Sequence, residues 1–365
     1  MSSMIETSVP VQEGIPLWNP AVVYPDDTVM EDLRTVTHIA VEMAREGEYH
    51  YLHTTTLAWV GARLHMCWAT HPREELNLRE ELVRGVYSDD GGFTWSKPEI
   101  RATPPMNGSA CYNHTVVFEH AGRLMGLFAR WNDEKPSCEL FVLPERGGRM
   151  ESTGTVIPGF IPFGVPRKLA NGNWMVAGEL FWYEAAMAIS HGDDLSAWTV
   201  VQVPRPEEIP LMFAEPTLFE TGGGLAAICR PCGAERAPVA FSQDEGKTWS
   251  TLAYSNLPTG CSKPFCVKLS TGQQALLGSN GDRSLLWIAV TRPGGGQFER
   301  IWKIRHQQWP RTRVHGGWGT GSQVGAPAQW SYPSAVEKDG NLYVSYTHGK
   351  EDACLSIIPV RCLAV

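Results

Sequence analysis

"YSDDGGFTWS", residues 87–96, sets Ser88, Asp90, Gly92, Thr94 and Trp95 in a spacing that returns in "SQDEGKTW", residues 242–249, as Ser242, Asp244, Gly246, Thr248 and Trp249. A worn copy with one inserted residue runs from Ser190 to Trp198, and another keeps Thr291, Gly295 and Phe298. In a tight turn an aspartate and a serine bond nearby backbone N–H groups, glycine accepts unusual backbone angles, and a tryptophan packs beneath. The pattern reads as a turn staple. Its repetition predicts a stacked or radial fold.

Each copy follows two short strands that alternate apolar and polar residues around a glycine-containing turn. The clearest are "TTTLAWVGARLHMCWA", "HTVVFEHAGRLMGLFA", "PRKLANGNWMVAGEL", "EPTLFETGGGLAAICR", "PFCVKLSTGQQALLGS" and "YPSAVEKDGNLYVSYT", starting near residues 53, 113, 165, 214, 264 and 332. Each interval has room for a four-stranded antiparallel sheet, the size of a propeller blade. The expected architecture is therefore all-β, one β-propeller domain over residues 1–365. A leading arm, 1–34, precedes six blades at roughly 53–100, 113–157, 164–205, 213–255, 263–305 and 332–362. The last interval offers three strands. The segment "VTHIAVEMA", 36–44, can supply the fourth, closing the ring and removing exposed sheet edges. A seventh blade would have to come from the irregular stretch 300–331.

Composition agrees: 36 glycines, 26 prolines, 14 tryptophans and only 19% charged residues suit many strands and turns rather than long solvated helices. A net charge of −8 argues against a nucleic-acid partner, and the apolar runs are too short to cross a membrane. A monomer or small homo-oligomer acting on a small neutral or anionic ligand is expected. "MSSMIETSVPVQEGIP" shows no basic start followed by an apolar stretch, so the expected location is cytoplasmic, or extracellular if a leader precedes this chain. The nine cysteines have no regular spacing and read as buried thiols; Cys229 and Cys232 form one C-x-x-C without a second pair.

The spacing S-x-D-x-G-x-T-W resembles the Asp-box of the sialidase-like (BNR repeat) propeller superfamily, over about residues 50 to 360. That superfamily includes sialidases, other glycoside hydrolases, polysaccharide lyases and binding propellers, so fold alone does not give chemistry. The resemblance implies that the Asp-boxes join third to fourth strands at one end, while the site lies at the other. There the innermost strands start and the second strands finish. The innermost starts give His53 and Thr54, Asn113 and His114, Arg167, Glu215, Lys263 and Tyr332. The second-strand ends give His71, Arg130 with Trp131, Trp182 with Tyr183, Arg230, Arg283 and His348. Convergence of Arg130, Arg167, Arg230, Arg283 and Lys263 in an acidic chain would suit a sugar carboxylate. The histidines suit hydrogen bonds between blades equally well, and Trp182 and Tyr183 suit a sugar-stacking wall.

Measured against sialidases, Glu215-Pro216 followed by Arg230 looks like the family's glutamate and second arginine, Arg283 like the third, and Tyr332 like the nucleophile. This implies Glu215 acting as base toward Tyr332. Where the family carries its first arginine the chain reads "HTTT", 53–56, and the loop "THPREELNLREE", 70–81, contains no aspartate for the acid. These departures turn the expectation toward elimination. His114 with several arginines resembles the L-rhamnose-α-1,4-D-glucuronate lyases and related propeller lyases. That resemblance implies an exo-acting enzyme on an acidic oligosaccharide or polysaccharide, removing terminal rhamnose from glucuronate. His114 would be the base, Arg167, Arg230 and Lys263 would neutralise the carboxylate, and Tyr332 or Tyr183 would donate the proton. Arg283, Arg130, Asn113, His53, Tyr183, Trp182 and His348 complete the expected lining. No cofactor or metal is required, though a structural calcium could support the central cavity. The alternatives are a sialidase-like hydrolase using Tyr332 and Glu215, and a propeller that binds an acidic sugar without transforming it.

Overall fold

A computed structural model describes residues 14–45, 48–73, 80–104, 110–131, 135–181, 183–233, 235–307 and 329–365. These residues form six antiparallel sheets, with one short 3-10 helix, Val360–Leu363, and no α-helix among them. The sheets span 51–102, 111–158, 160–202, 217–258, 265–305 and 330–359, numbered here as blades 1 to 6. Five have four strands. In blade 3 the innermost strand is split into Phe160–Pro162 and Arg167–Lys168, both paired with Trp174–Leu180.

The strand Thr37–Met43 pairs antiparallel with Asp352–Pro359, with Ile39 opposite Leu355, and so becomes the outer strand of blade 6. The chain closes its ring as the sequence predicts. The stretch that might have held a seventh blade falls largely at 308–328, outside the described residues; 298–305 is the outer strand of blade 5. Residues 14–33 of the leading arm lie against blades 4 and 5, bridging Ile15 to Ser255 and Trp18 to Phe298, with Leu17 and Trp18 buried. No helix is long and apolar enough to cross a membrane.

The core is the set of interfaces between neighbouring blades. Leu277, Ile288 and Trp302 of blade 5 pack on Val344, Tyr346 and Ile358 of blade 6; Val116, Leu127 and Leu140 of blade 2 pack on Phe160, Val176 and Ala188 of blade 3. Innermost threonines add polar links. Thr56 Oγ1 accepts the Val117 N–H at 3.1 Å, and Thr217 Oγ1 accepts the Cys266 N–H at 2.8 Å. All nine cysteines are free thiols, Cys229 and Cys232 included.

The four Asp-box copies all sit between third and fourth strands. In the first, Ser88 Oγ donates to Asp90 Oδ1 at 2.8 Å and accepts the Gly92 N–H at 2.8 Å. Asp90 in turn accepts the Thr94 N–H at 2.9 Å and the Thr94 hydroxyl at 2.6 Å. The copy at Ser242 repeats the same bonds at 2.9, 2.8, 2.9 and 2.6 Å. Gly92 has a φ of 90°, and a Cβ there would press on the Leu355 side chain at 2.7 Å. Only glycine suits the position.

Candidate active site

In four of the six blades the innermost strand, or the residues leading into it, carries a non-glycine residue at positive φ: Thr54 (55°), His114 (42°), Glu215 (40°) and Tyr332 (57°). Pairing slips between His53 and Thr56, between Asn113 and Thr115, and between Ser331 and Ser334. In blade 4 the Arg230 N–H reaches Ala214 O at 3.0 Å, while Thr217 pairs with Ile228, leaving Glu215 and Pro216 as the extra length. Each bulge re-aims one side chain toward the axis. Such backbone costs about 1–3 kcal/mol per residue and tends to persist at functional sites.

Three of those four residues, His114, Glu215 and Tyr332, line a cavity of about 470 Å3. It lies at the end opposite the Asp-boxes, where the second strands finish. Its floor is a three-residue cluster. The Tyr332 hydroxyl donates to Glu215 Oε1, and Arg230 Nη1 donates to Glu215 Oε2 at 3.0 Å and to the Tyr332 oxygen at 3.2 Å. Glu215 is fully buried, Tyr332 and Arg230 nearly so. Burial, then the neighbouring Glu215 charge, pushes the Tyr332 phenol well above its ordinary range. Arg230 also bonds the Cys261 thiol through Nε and Nη2, at 3.4 and 3.3 Å.

Arg283 joins the same cavity. Its Nε and Nη2 donate to Cys261 O at 3.2 and 2.7 Å, and its guanidinium stands 5.9 Å from the Tyr332 ring centroid. Lys350, in the turn after the second strand of blade 6, adds a further cation to the lining. Trp131, Phe181, Tyr183 and Phe213 form an aromatic wall, with Tyr183 and Phe213 edge to face at 4.8 Å. Asn113, Glu179 and Gln329 add to the polar part.

Six other expected residues, Arg167, Arg130, Lys263, His53, His348 and His71, are placed elsewhere. Arg167 is the main correction. Residues Phe163 and Gly164 both donate to Ala177 O, breaking the innermost strand of blade 3, so Arg167 pairs with Met175 near the Asp-box end. There it is ion-paired to Glu220 at 2.8 Å, away from the cavity. Arg130 is held within blade 2 by Glu139 at 2.8 Å, the carboxylate that also accepts the Tyr112 hydroxyl. Lys263 lies below the cavity, beside a space of about 10 Å3 that it shares with Thr54, His114 and Phe163. It donates to Pro333 O at 3.0 Å, and burial lowers its pKa to about 8, with Glu215 opposing.

His53 packs behind Tyr332, ring centroids 4.0 Å apart, with Nδ1 at 3.1 Å from Thr347 Oγ1. His348 stacks on Trp330 at 4.1 Å and faces Asp352 at 3.5 Å, and His71 faces Glu80 at 3.4 Å. These histidines tie strands together. Trp182, and the loop segment 74–79 inspected for an acid, lie outside the described residues. The expected cationic set thus contracts to Arg230 and Arg283, with Lys350 gained. Among the described residues, no group of three or more His, Cys, Asp or Glu side chains is gathered to hold a metal ion.

Glu179 was missed because the second strand of blade 3 ends at Leu180, earlier than its apolar pattern suggests. Its signal was a lone glutamate in the otherwise apolar "WMVAGEL". Lys350 lies past the last residue of its strand, where strand counting does not reach.

Residues 146–344 match the family of the BNR repeat-like domain. The chain belongs to that family. No curated protein matches this BNR repeat-like chain in sequence. Solved structures match its fold at low identity. A protein of unknown function from Dyadobacter fermentans superposes with a TM-score of 0.65 at 16% identity, covering 89% of this chain and 99% of its own. Trypanosoma rangeli sialidase gives 0.63 at 15%, covering 90% of this chain, and a Hadza microbial sialidase gives 0.69 at 14%, also covering 90%. The BNR chain spans 60% and 69% of those two sialidases. What is shared at this identity is the fold.

Proposed function

We propose that this chain is an exo-acting glycosidase that releases a carboxylate-bearing sugar, with Tyr332 attacking the anomeric carbon and Glu215 taking its proton. The hydrogen bond from the Tyr332 hydroxyl to Glu215, inside the cavity and backed by Arg230, carries this reading. A phenol is a weak nucleophile until an adjacent base removes its proton as the bond forms. A neutral phenol also suits an anionic sugar, because a carboxylate nucleophile would repel the substrate's own carboxylate in a low-dielectric site. Arg283 and Lys350 are the cations placed to receive that group, and the aromatic wall offers an apolar face to the sugar ring. Below the site only about 10 Å3 remains, so a glycan would enter by its end.

His114 supports a second reading, β-elimination from a uronate such as rhamnose-capped glucuronate. It lines the cavity above Lys263, where it could take the proton next to the carboxylate while Tyr332 or Tyr183 protonates the departing oxygen. One screen separates the readings. The protein is incubated with glycosides of sialic and uronic acids, including a rhamnose-capped glucuronate glycan, and with an activated fluorinated acidic sugar as a trap. Saturated sugar release with a glycosyl adduct on the Tyr332 peptide supports the glycosidase. Unsaturated uronate, read by its ultraviolet absorbance, overturns it in favour of elimination. Affinity without product makes the propeller a binder.

A further inference from the structure

Glu179 stands on the cavity wall at the end of a strand of blade 3 and is only 2% exposed. Its carboxyl lies beside the backbone N–H groups of Ala214 and Glu215, on the strained turn that carries the base. One carboxyl oxygen, Oε2, is buried with no hydrogen-bond partner among the described residues. A carboxyl this buried is poorly solvated as an anion, which favours its protonated form. We propose that Glu179 is the acid that protonates the departing sugar oxygen, a role that rests on the glycosidase reading above.

Burial, then the nearby Glu215 charge, raises the Glu179 pKa to about 8, so at neutral pH the group carries a proton. Glu215, Arg230 and the Cys229 thiol face this carboxyl from blade 4, Tyr183 stands at the end of its own hairpin, and Ile161 covers it within the sheet. The step balances. The Tyr332 oxygen bonds the anomeric carbon as its proton passes to Glu215, the glycosidic C–O bond breaks, and the leaving oxygen takes the Glu179 proton. In the second step water gives a proton to the Glu179 carboxylate and its oxygen to the sugar, while Tyr332 regains its proton from Glu215.

The test compares glycosides of one acidic sugar that differ only in the leaving group, from alkyl to 4-nitrophenyl. Glu179→Gln keeps the size and polarity of the side chain and loses the acid. Expected is a fall in kcat/KM of about 10²- to 10⁴-fold for alkyl leaving groups and under about 10-fold for 4-nitrophenyl, which departs without help. An equal loss for every leaving group overturns the proposal and makes Glu179 a support for the Glu215 turn. Should the variant not fold, the wild-type pH profile decides. An alkaline fall in kcat/KM near pH 8 with alkyl glycosides and none with 4-nitrophenyl supports the acid; a fall common to both, as titration of Lys263 would give, overturns it. A wild-type protein that turns over none of the glycosides sinks the glycosidase reading itself.

Discussion

Glu215 and Tyr332 come from different blades, both sit at positive φ, and the Tyr332 hydroxyl donates to the Glu215 carboxylate beside Arg230. The fold supplies this pair by the same local device twice, a bulged innermost strand whose extra residue turns inward. Removing one side of the cluster has unequal consequences. Glu215→Ala would leave the Arg230 guanidinium buried without its carboxylate, which for a buried pair costs about 3–5 kcal/mol. Tyr332 can be altered more gently.

Tyr332→Phe keeps the ring that packs on His53 and leaves the Glu215 to Arg230 ion pair in place. Turnover should fall by about 10³-fold or more, because the attacking oxygen is gone, while the melting temperature moves by only a few degrees. Kinetics on a cleaved glycoside together with a thermal melt measure both. A variant with more than a tenth of wild-type turnover would remove Tyr332 from the nucleophile's place.

Arg283 and Arg167 are both strand-end arginines in the sequence, yet the structure puts one in the cavity and the other near the Asp-box end. Arg283→Ala should raise KM for a carboxylate sugar about 10- to 100-fold, the worth of a charge-assisted hydrogen bond. Arg167→Ala loses a partly exposed pair with Glu220 and should leave kcat/KM within about twofold. Steady-state kinetics with the acidic sugar and its uncharged ester separate the two. Equal effects from both variants would contradict the placement.

The blade register was legible because the Asp-box marks the same turn wherever it occurs, and because hairpins with period-two patterning leave little freedom between copies. From that register, innermost positions carrying His114, Glu215 and Tyr332 could be named before any coordinates. Arg167 was misplaced for a local reason. Pro162, Gly164 and Pro166 interrupt the innermost strand of blade 3, and the sequence shows its second fragment as if it were the first. Arg130 and Lys263 were read for their charge, but what holds each is a partner that sequence does not display, Glu139 for one and the Pro333 carbonyl for the other. Glu179 sits among apolar neighbours, and its importance comes from blade 4, across an interface no local pattern encodes.

Ring closure rests on one strand added from the start of the chain, with Ile39 opposite Leu355. Ile39→Pro puts a proline in the middle of that strand and removes a side chain that packs between blades 6 and 1. The melting temperature should drop by several degrees, and self-association should increase as the edge of Asp352–Pro359 is uncovered. Thermal melts and light scattering measure these outcomes. An unchanged melt would mean that the strand adds little to closure.

Asp90 and Asp244 read in sequence as turn staples, and the structure bears this out. Hydrogen bonds from Thr94 and Thr248 hold their carboxyls down at about 2, below the ordinary aspartate value. A depressed folded-state pKa means that the unfolded chain takes up the proton first as pH falls. Their contribution to stability is therefore present above about pH 4 and is lost between there and about pH 2. Asp90→Asn should lower the melting temperature at pH 7 by a few degrees, and the gap from wild type should close as the pH falls toward 2. Turnover per folded molecule at pH 7 should be unchanged, because the staple lies at the end of the propeller opposite the cavity. Melts across pH 2–7 with kinetics at neutral pH test both parts. A selective loss of catalysis without a lower melting temperature would place Asp90 in the chemistry and overturn the blade register from which the site was located.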